Sequence, residues 1–166
     1  KSGQLDSTSG MNNIESCMKN LDPHRWRGDI AAIRAYVAGV RGNLPQAVTL
    51  AEQALEYLPE ENLFLRAIVA QNLGVTYHWS GKPTSAIQML TKAAELSHAA
   101  NQAYQRLTTM AILGRAHEMR GALRQAAETY KEALKLASEP DKRPVPFAGM
   151  AYIGMASVLY ERNELD

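Results

Sequence analysis

Four histidines and one cysteine are the residues of this sequence most able to bind a metal ion or to react as a nucleophile. The histidines are His24, His78, His98 and His117. None of them stands four residues from another metal ligand, the spacing that would put two ligands on one face of a helix. Cys17 is the only cysteine, which excludes a disulfide within the chain. The spacing therefore predicts no metal site.

Catalytic groups are no better supported. The acids Glu60, Glu61 and Asp141 fall in predicted loops, and no serine or cysteine is flanked by a base that could activate it. The chain also lacks the phosphate-binding pattern Gly-x-x-x-x-Gly-Lys-Ser/Thr, so any nucleotide chemistry must lie elsewhere. We expect a chain that is not an enzyme and that holds no cofactor of its own.

A row of arginines is the other charged pattern. Arg27, Arg66 and Arg106 recur at spacings of 39 and 40 residues, near the starts of predicted helices. A cation there meets the positive end of the helix dipole, so a compensating partner is required. We expect inter-repeat pairing with acids, and the alternative is contact with an anion or a partner protein. The candidate acids are Asp29, Glu60 and Glu61.

The elements that position these residues follow from an internal repeat. Glycine-containing turns occur at Gly42-Asn43-Leu44, Gly81-Lys82-Pro83 and Gly121-Ala122-Leu123, with a degenerate copy at Asn163-Glu164-Leu165. A small residue stands seven positions before each turn: Ala35, Gly74, Gly114 and Ala156. Alanine follows the first three turns by five positions. Small residues at helical spacing let two helices approach closely, so the pattern predicts stacked pairs of antiparallel helices in an all-α solenoid.

The turns and prolines predict the bounds of eight helices. They cover residues 12–21, 26–41, 45–58, 63–80, 83–100, 102–120, 122–137 and 147–162. Pro45 and Pro83 fall at the start of second helices, where a missing N–H costs nothing. We expect a disordered tail at residues 1–10 and a repeat domain at residues 11–166. Its parts are the end of a preceding repeat (11–24), three repeats (25–61, 62–101, 102–143) and the first helix of a fourth (144–166).

Composition narrows the class of protein. Hydrophobic residues make up 46% of the chain and charged residues 21%, as in ordinary folded proteins. The formal net charge is only +1, so direct contact with nucleic acid is disfavoured. We see no membrane-spanning stretch and no signal peptide, and we expect a cytoplasmic protein. Repeats bury their apolar faces only against neighbours, so we also expect the chain to be part of a longer protein.

Leu73-Gly74, Tyr77, Ala86, Leu90 and Ala93 resemble the tetratricopeptide signature. Two longer stretches are HRWRGDIAAIRAYVAGVRGNLPQAV and the later PFAGMAYIGMASVLYERNELD. On these stretches, nearly the whole chain is similar to the tetratricopeptide-like region of LuxR-class ATP-dependent bacterial transcription activators, the family that includes the maltose-regulon activators. The resemblance implies a right-handed α-solenoid of about 3.5 repeats of 39–42 residues, longer than the usual unit of about 34.

The tetratricopeptide pattern also implies which side chains face inward. They lie one residue after, three before and four after each small contact residue. The candidates for ligand or partner binding on the concave face are Tyr36, Gln71, Val75, His78, Arg115, Glu118 and Tyr160. Aromatic, amide and charged groups together suit a sugar-like or peptide ligand.

The family resemblance further implies a function. Such regulators combine an ATPase, a helical-repeat sensor and a DNA-binding helix-turn-helix, and only the sensor would lie in this chain. We expect it to receive a small-molecule inducer or a regulatory protein, to contact other domains of the same protein, and to leave ATP binding to a separate domain. The alternative is a general scaffold that holds a peptide or helix of a partner.

Overall fold

The computed structural model describes residues 23–138 and 148–163, and every regular element in these ranges is an α-helix. The helices are α1 (Pro23–Val40), α2 (Leu44–Tyr57), α3 (Leu63–Trp79), α4 (Pro83–Ala99), α5 (Ala103–Met119), α6 (Leu123–Ala137) and α7 (Ala148–Glu161). They confirm seven predicted helices, with bounds that differ by three residues or fewer. The predicted tail at 1–10, the predicted helix at 12–21 and most of the linker before α7 lie outside the described residues.

Local chemistry explains where the helices end and begin. Gly42, Gly81 and Gly121 adopt φ of 77°, 69° and 74°, the left-handed conformation that glycine accepts at a helix end. Asn163, in the degenerate fourth turn, adopts a φ of 55°. Asn43 caps α2 by accepting a hydrogen bond from the Gln46 N–H, and α4 opens with a proline. The predicted turn positions are therefore confirmed.

Small residues bring the two helices of a pair together, as the repeat predicts. A Cβ atom added to Gly74 would lie 2.6 Å from Cγ of Leu90, and one added to Gly114 would lie 2.5 Å from Cε1 of Tyr130. In α7 the closely packed residue is Gly154, which contacts the Tyr130 ring, while the predicted contact residue Ala156 is exposed. Tyr130 of α6 is consequently held between glycines of α5 and α7.

Contacts between the described helices follow the order of the chain. Each helix packs against the next one, and the only other contacts join α1 to α3, α3 to α5 and α5 to α7. The second helices of the pairs do not touch one another within the described residues. The buried apolar residues form three successive clusters along the row instead of one shared centre. This is a solenoid whose first helices line the concave side.

None of the described helices has the length and apolar character that a membrane span requires.

Candidate ligand-binding face

The first helices of the first two repeats enclose a groove of about 260 Å³ on the concave side. Tyr36 and Val40 of α1 form one wall, and Val75 and Trp79 of α3 form the other. The two aromatic side chains are open to solvent, with Tyr36 57% and Trp79 68% exposed. Asn72 adds an amide to this lining. The groove can therefore offer stacking surfaces and a few hydrogen bonds to a ligand.

His78 and Arg115 extend this face toward the third repeat. His78 is half-buried at the end of α3, and its Nδ1 atom is buried without a hydrogen-bond partner among the described residues. Burial and, second, the positive charge of Arg115 lower the pKa of His78 below its ordinary value. The imidazole is therefore neutral near pH 7, while the exposed Arg115 supplies a cation.

Two predicted ligand contacts already bind other parts of the chain. Oε1 of Gln71 accepts hydrogen bonds from Nε2 of Gln105, at 2.5 Å, and from Oγ1 of Thr109, at 2.6 Å. These bonds join α3 to α5, so Gln71 positions two inward helices. Only the amide NH₂ group of Gln71 is left to donate to a ligand.

Glu118 has a similar positioning role. Its Oε1 accepts a hydrogen bond of 2.5 Å from the Tyr130 hydroxyl. Burial first, and then this hydrogen bond, raise the pKa of Tyr130, so the phenol stays protonated and donates. Glu118 therefore ties α5 to α6, and one of its oxygens is no longer open to a ligand.

The remaining candidate, Tyr160, is separate from the groove. It lies on α7 and is 72% exposed, but it is not among the residues that line the cavity between α1 and α3. The structure thus places Tyr36 and Val75 in one groove, with His78 and Arg115 further along the face.

The inward pattern missed several groove residues, among them Val40, Asn72 and Trp79. Asn72 stands two residues before the small contact residue Gly74, and Trp79 stands five after it. Val40 occupies the same position in α1 as Trp79 does in α3. A wider helical stripe would have included all three, since both positions are neighbours of the predicted ones on the helix surface.

Two members of the arginine row, Arg66 and Arg106, contact the preceding repeat, and neither of them pairs with an acid as predicted. Nη1 of Arg66 donates to the carbonyl oxygens of Leu55 and Leu58, at 2.8 and 2.7 Å. These carbonyls end α2, where the helix dipole is negative, so they compensate the arginine at the start of α3. Asp29, Glu60 and Glu61 form no ion pair within the described ranges, where the single salt bridge joins Arg124 and Glu128.

The other two arginines differ in what they contact. Nη1 of Arg106 lies 3.2 Å from Nδ1 of His98, which is in the last turn of α4. Because arginine can only donate, this His98 nitrogen is the acceptor. Arg27 is exposed and forms no hydrogen bond with another described residue.

A second groove, of about 360 Å³, lies on the outer side between α4 and α6. Its lining includes His98, His117, Arg106 and three glutamates. No group of three or more potential metal ligands occurs there or elsewhere in the described part of the chain. No residue of the first repeat lines this outer groove. The concave groove, in contrast, lies between the first helices of two successive repeats.

Comparison with known proteins places this geometry in context. The family model described as the MalT-like TPR region matches residues 28–166. The HTH-type transcriptional regulator MalT of Yersinia enterocolitica is 28% identical over 142 residues, which are 84% of this chain and 16% of that protein. Proteins of the same name from Yersinia pestis and Yersinia pseudotuberculosis are 27% identical over the same length. The chain thus spans about a sixth of these relatives, and the sequence resemblance is confirmed.

Proposed function

This chain belongs to the MalT-like TPR region family, and on that basis we propose that it is the sensor module of a bacterial LuxR-class transcription regulator. It binds an inducer or a regulatory protein on the face formed by α1, α3 and α5. The observation that carries this proposal is the open groove between α1 and α3, with its exposed aromatic side chains.

The lining of the groove supports a ligand that is partly apolar and partly hydrogen-bonding. Tyr36 and Trp79 provide ring faces for stacking, and Asn72 provides both a donor and an acceptor. Arg115 and the neutral His78 add polar groups beyond the groove. A sugar-like molecule or an extended peptide meets these requirements.

The proposed mechanism is a shift between two states of the full-length regulator. A ligand can bias such an equilibrium only if it binds one state more tightly than the other. The repeat array carries out no chemistry: ATP binds in a separate domain, DNA is contacted by another, and the regulator works in the cytoplasm. Contacts between this module and those domains transmit the effect of ligand binding.

Calorimetric titration tests the proposal. The chain is titrated with a panel of oligosaccharides and metabolites, and Tyr36→Ala and Arg115→Ala are compared with the wild type. We expect heat from at least one compound, with affinity weakened about tenfold or more in Tyr36→Ala because an aromatic contact is removed. Tyr152→Ala is the matched control, since Tyr152 is 58% exposed on α7, away from the groove.

The alternative is a scaffold that holds a peptide or helix of a partner protein. The apolar side chains of Val40, Val75 and Trp79 in the groove lining support this alternative. No heat with any small molecule, together with peptide binding that Tyr36→Ala abolishes, would select the scaffold. Equal loss of binding in Tyr36→Ala and Tyr152→Ala would refute the groove as the site.

A further inference from the structure

Two positions in each first helix face the concave side, one and five residues after the small contact residue. The groove between α1 and α3 shows this, because both helices contribute both positions to its lining. The contact residues are the buried Ala35 and, in the later first helices, Gly74, Gly114 and Gly154. Two rows of side chains therefore run across the four first helices. The Tyr36 row contains Tyr36, Val75, Arg115 and Met155, and the Trp79 row contains Val40, Trp79, Met119 and Leu159.

All members of the two rows except Arg115 are apolar or aromatic. Trp79 and Met119 are 68% and 50% exposed, although both are large apolar side chains. Exposed apolar surface that continues over several elements is typical of an interaction site. The rows extend past the groove between α1 and α3 onto α5 and α7, so a ligand confined to that groove covers only half of them.

The spacing of the first helices indicates which kind of segment fits the rows. Consecutive first helices contact each other, so their axes are about 8–10 Å apart. In an α-helix, residues seven positions apart share a face and lie about 10.5 Å apart along the axis. In an extended strand, residues on one face recur at about 6.6 Å, which does not match. A helix laid across the array can therefore place one residue of each heptad on every first helix.

The width and length of the rows agree with a helix as well. Four residues separate the two rows on each first helix, which is about 6 Å. Apolar neighbours three or four positions apart on a docked helix have Cβ atoms about 5–6 Å apart. The four first helices span three intervals, about 24–30 Å. A helix of about 16–20 residues has this length.

Arg115 is the only charged member of the two rows. It is exposed and forms no hydrogen bond or ion pair within the described ranges. Helix α3 contains no acid, and Glu118 of α5 accepts the hydrogen bond from Tyr130. A partner that covers this face must compensate the Arg115 cation, since an uncompensated buried charge is strongly unfavourable. A carboxylate can do so through two parallel hydrogen bonds to the guanidinium group.

We propose that the concave face binds an amphipathic α-helix of a regulatory protein, laid across α1, α3, α5 and α7. Apolar residues of that helix recur every seven positions and pack on the Tyr36 and Trp79 rows, and one carboxylate pairs with Arg115. This inference rests on the proposed function, because it names the segment by which a regulatory protein occupies the same face.

Selection from a display library tests the proposal. Random 21-residue peptides are selected for binding to the 166-residue chain and then sequenced. Enriched peptides should have apolar residues at seven-residue spacing and an aspartate or glutamate beside that apolar stripe. A synthetic peptide of the most enriched sequence should bind about tenfold or more weakly when a central residue is replaced by proline, because proline breaks the helix.

A charge exchange tests the contact with Arg115. Arg115→Glu should weaken binding of the selected peptide about tenfold or more, since a hydrogen bond between charged groups is worth at least that factor. A peptide in which lysine replaces the carboxylate should bind Arg115→Glu better than it binds the wild type. Arg34→Glu is the matched control, because Arg34 is exposed on α1 and lines a different groove.

Met119→Asp tests whether the site extends beyond the groove between α1 and α3. It should weaken peptide binding about tenfold or more, because it replaces a buried apolar contact with a charge. Met150→Asp is the matched control. Met150 is 45% exposed on α7 and has the register of Met110, which lines the outer groove.

Failure to enrich any peptide, peptides that tolerate proline, or equal effects of Arg115→Glu and Arg34→Glu would each overturn the proposal. Peptide binding that Tyr36→Ala abolishes but Met119→Asp leaves unchanged would confine the ligand to the groove between α1 and α3. That result would overturn the helix across the array and leave the proposed function intact. The proposed function fails separately, if Tyr36→Ala and Tyr152→Ala lose binding equally.

Discussion

Replacing Gly114 with alanine should destabilise the array, because this glycine lets α6 approach α5. The added Cβ would lie 2.5 to 2.8 Å from three carbons of the Tyr130 ring. Tyr130 is only 1% exposed, and Gly154 of α7 contacts the ring as well. The ring therefore has no free side into which it can move without displacing a helix.

The size of the effect follows from three contributions. An extra methyl group in a well-packed contact costs about 1–3 kcal/mol. The better helix propensity of alanine offsets about 1 kcal/mol of this cost. A displaced ring also weakens the hydrogen bond between the Tyr130 hydroxyl and Glu118, and a hydrogen bond to a charged group is worth about 1.5–3 kcal/mol. We expect a net loss of about 2–4 kcal/mol in the free energy of unfolding.

Urea unfolding followed by circular dichroism measures this loss. Gly39→Ala is the matched control, since the nearest atoms to its added Cβ are 3.9 Å away on Ala47 and Thr76. It should be neutral or stabilising by up to about 1 kcal/mol. Tyr130→Phe separates the contribution of the hydroxyl from that of the ring. A midpoint for Gly114→Ala equal to or above that of Gly39→Ala would refute the argument that glycine is required by the close approach.

Two further predictions concern the arginine row and the histidines. Arg66→Met should lower the free energy of unfolding by about 1–3 kcal/mol in urea titrations, because it removes two hydrogen bonds to the end of α2. Arg106→Met loses only a contact with the exposed His98, so it should lower the free energy of unfolding by less. An equal loss in the two variants would contradict the capping role of Arg66. Burial lowers the pKa values of His78 and His117 below 6.5 in the folded chain, with smaller contributions from Arg115 and Arg120. The unfolded chain therefore takes up protons more readily, so stability should be full above about pH 6.5 and fall as the pH decreases below it. The free energy of unfolding of the double variant His78→Gln/His117→Gln should depend less steeply on pH between about pH 7.5 and 5.5 than that of the wild type. An unchanged slope would contradict the assignment of this pH dependence to the two histidines.

Much of the fold could be predicted because its signals are local. The φ values of Gly42, Gly81 and Gly121 and the caps of the helices depend on a few neighbouring residues. The close contacts of Gly74 and Gly114 depend on a second helix joined by a short turn, so the spacing within one repeat was sufficient. These features recur along the chain, and each copy supports the interpretation of the others.

The binding face could be predicted only in part. Tyr36 and Val75 do share a groove, but Gln71 and Glu118 hold helices together, and Trp79 was missed. Whether an inward position is open or occupied depends on which side chain a neighbouring helix places beside it. The partners of Gln71 lie 34 and 38 residues away in the next repeat, and the partner of Glu118 lies 12 residues away in the same repeat. No local pattern specifies the direction of these side chains.

The sequence by itself determined the helices, their pairing, the order in which the pairs stack and the family of the chain, because turn conformation and the close packing of small residues act over short stretches. Only the tertiary structure decided that Arg66 binds carbonyl oxygens instead of acids and that the open groove lies between α1 and α3. The physical reason is the angle between successive repeats. This angle sets which part of the preceding helix an arginine can reach, and it sets the width of the gap between neighbouring inward helices. That angle results from the sum of many packing contacts across each interface.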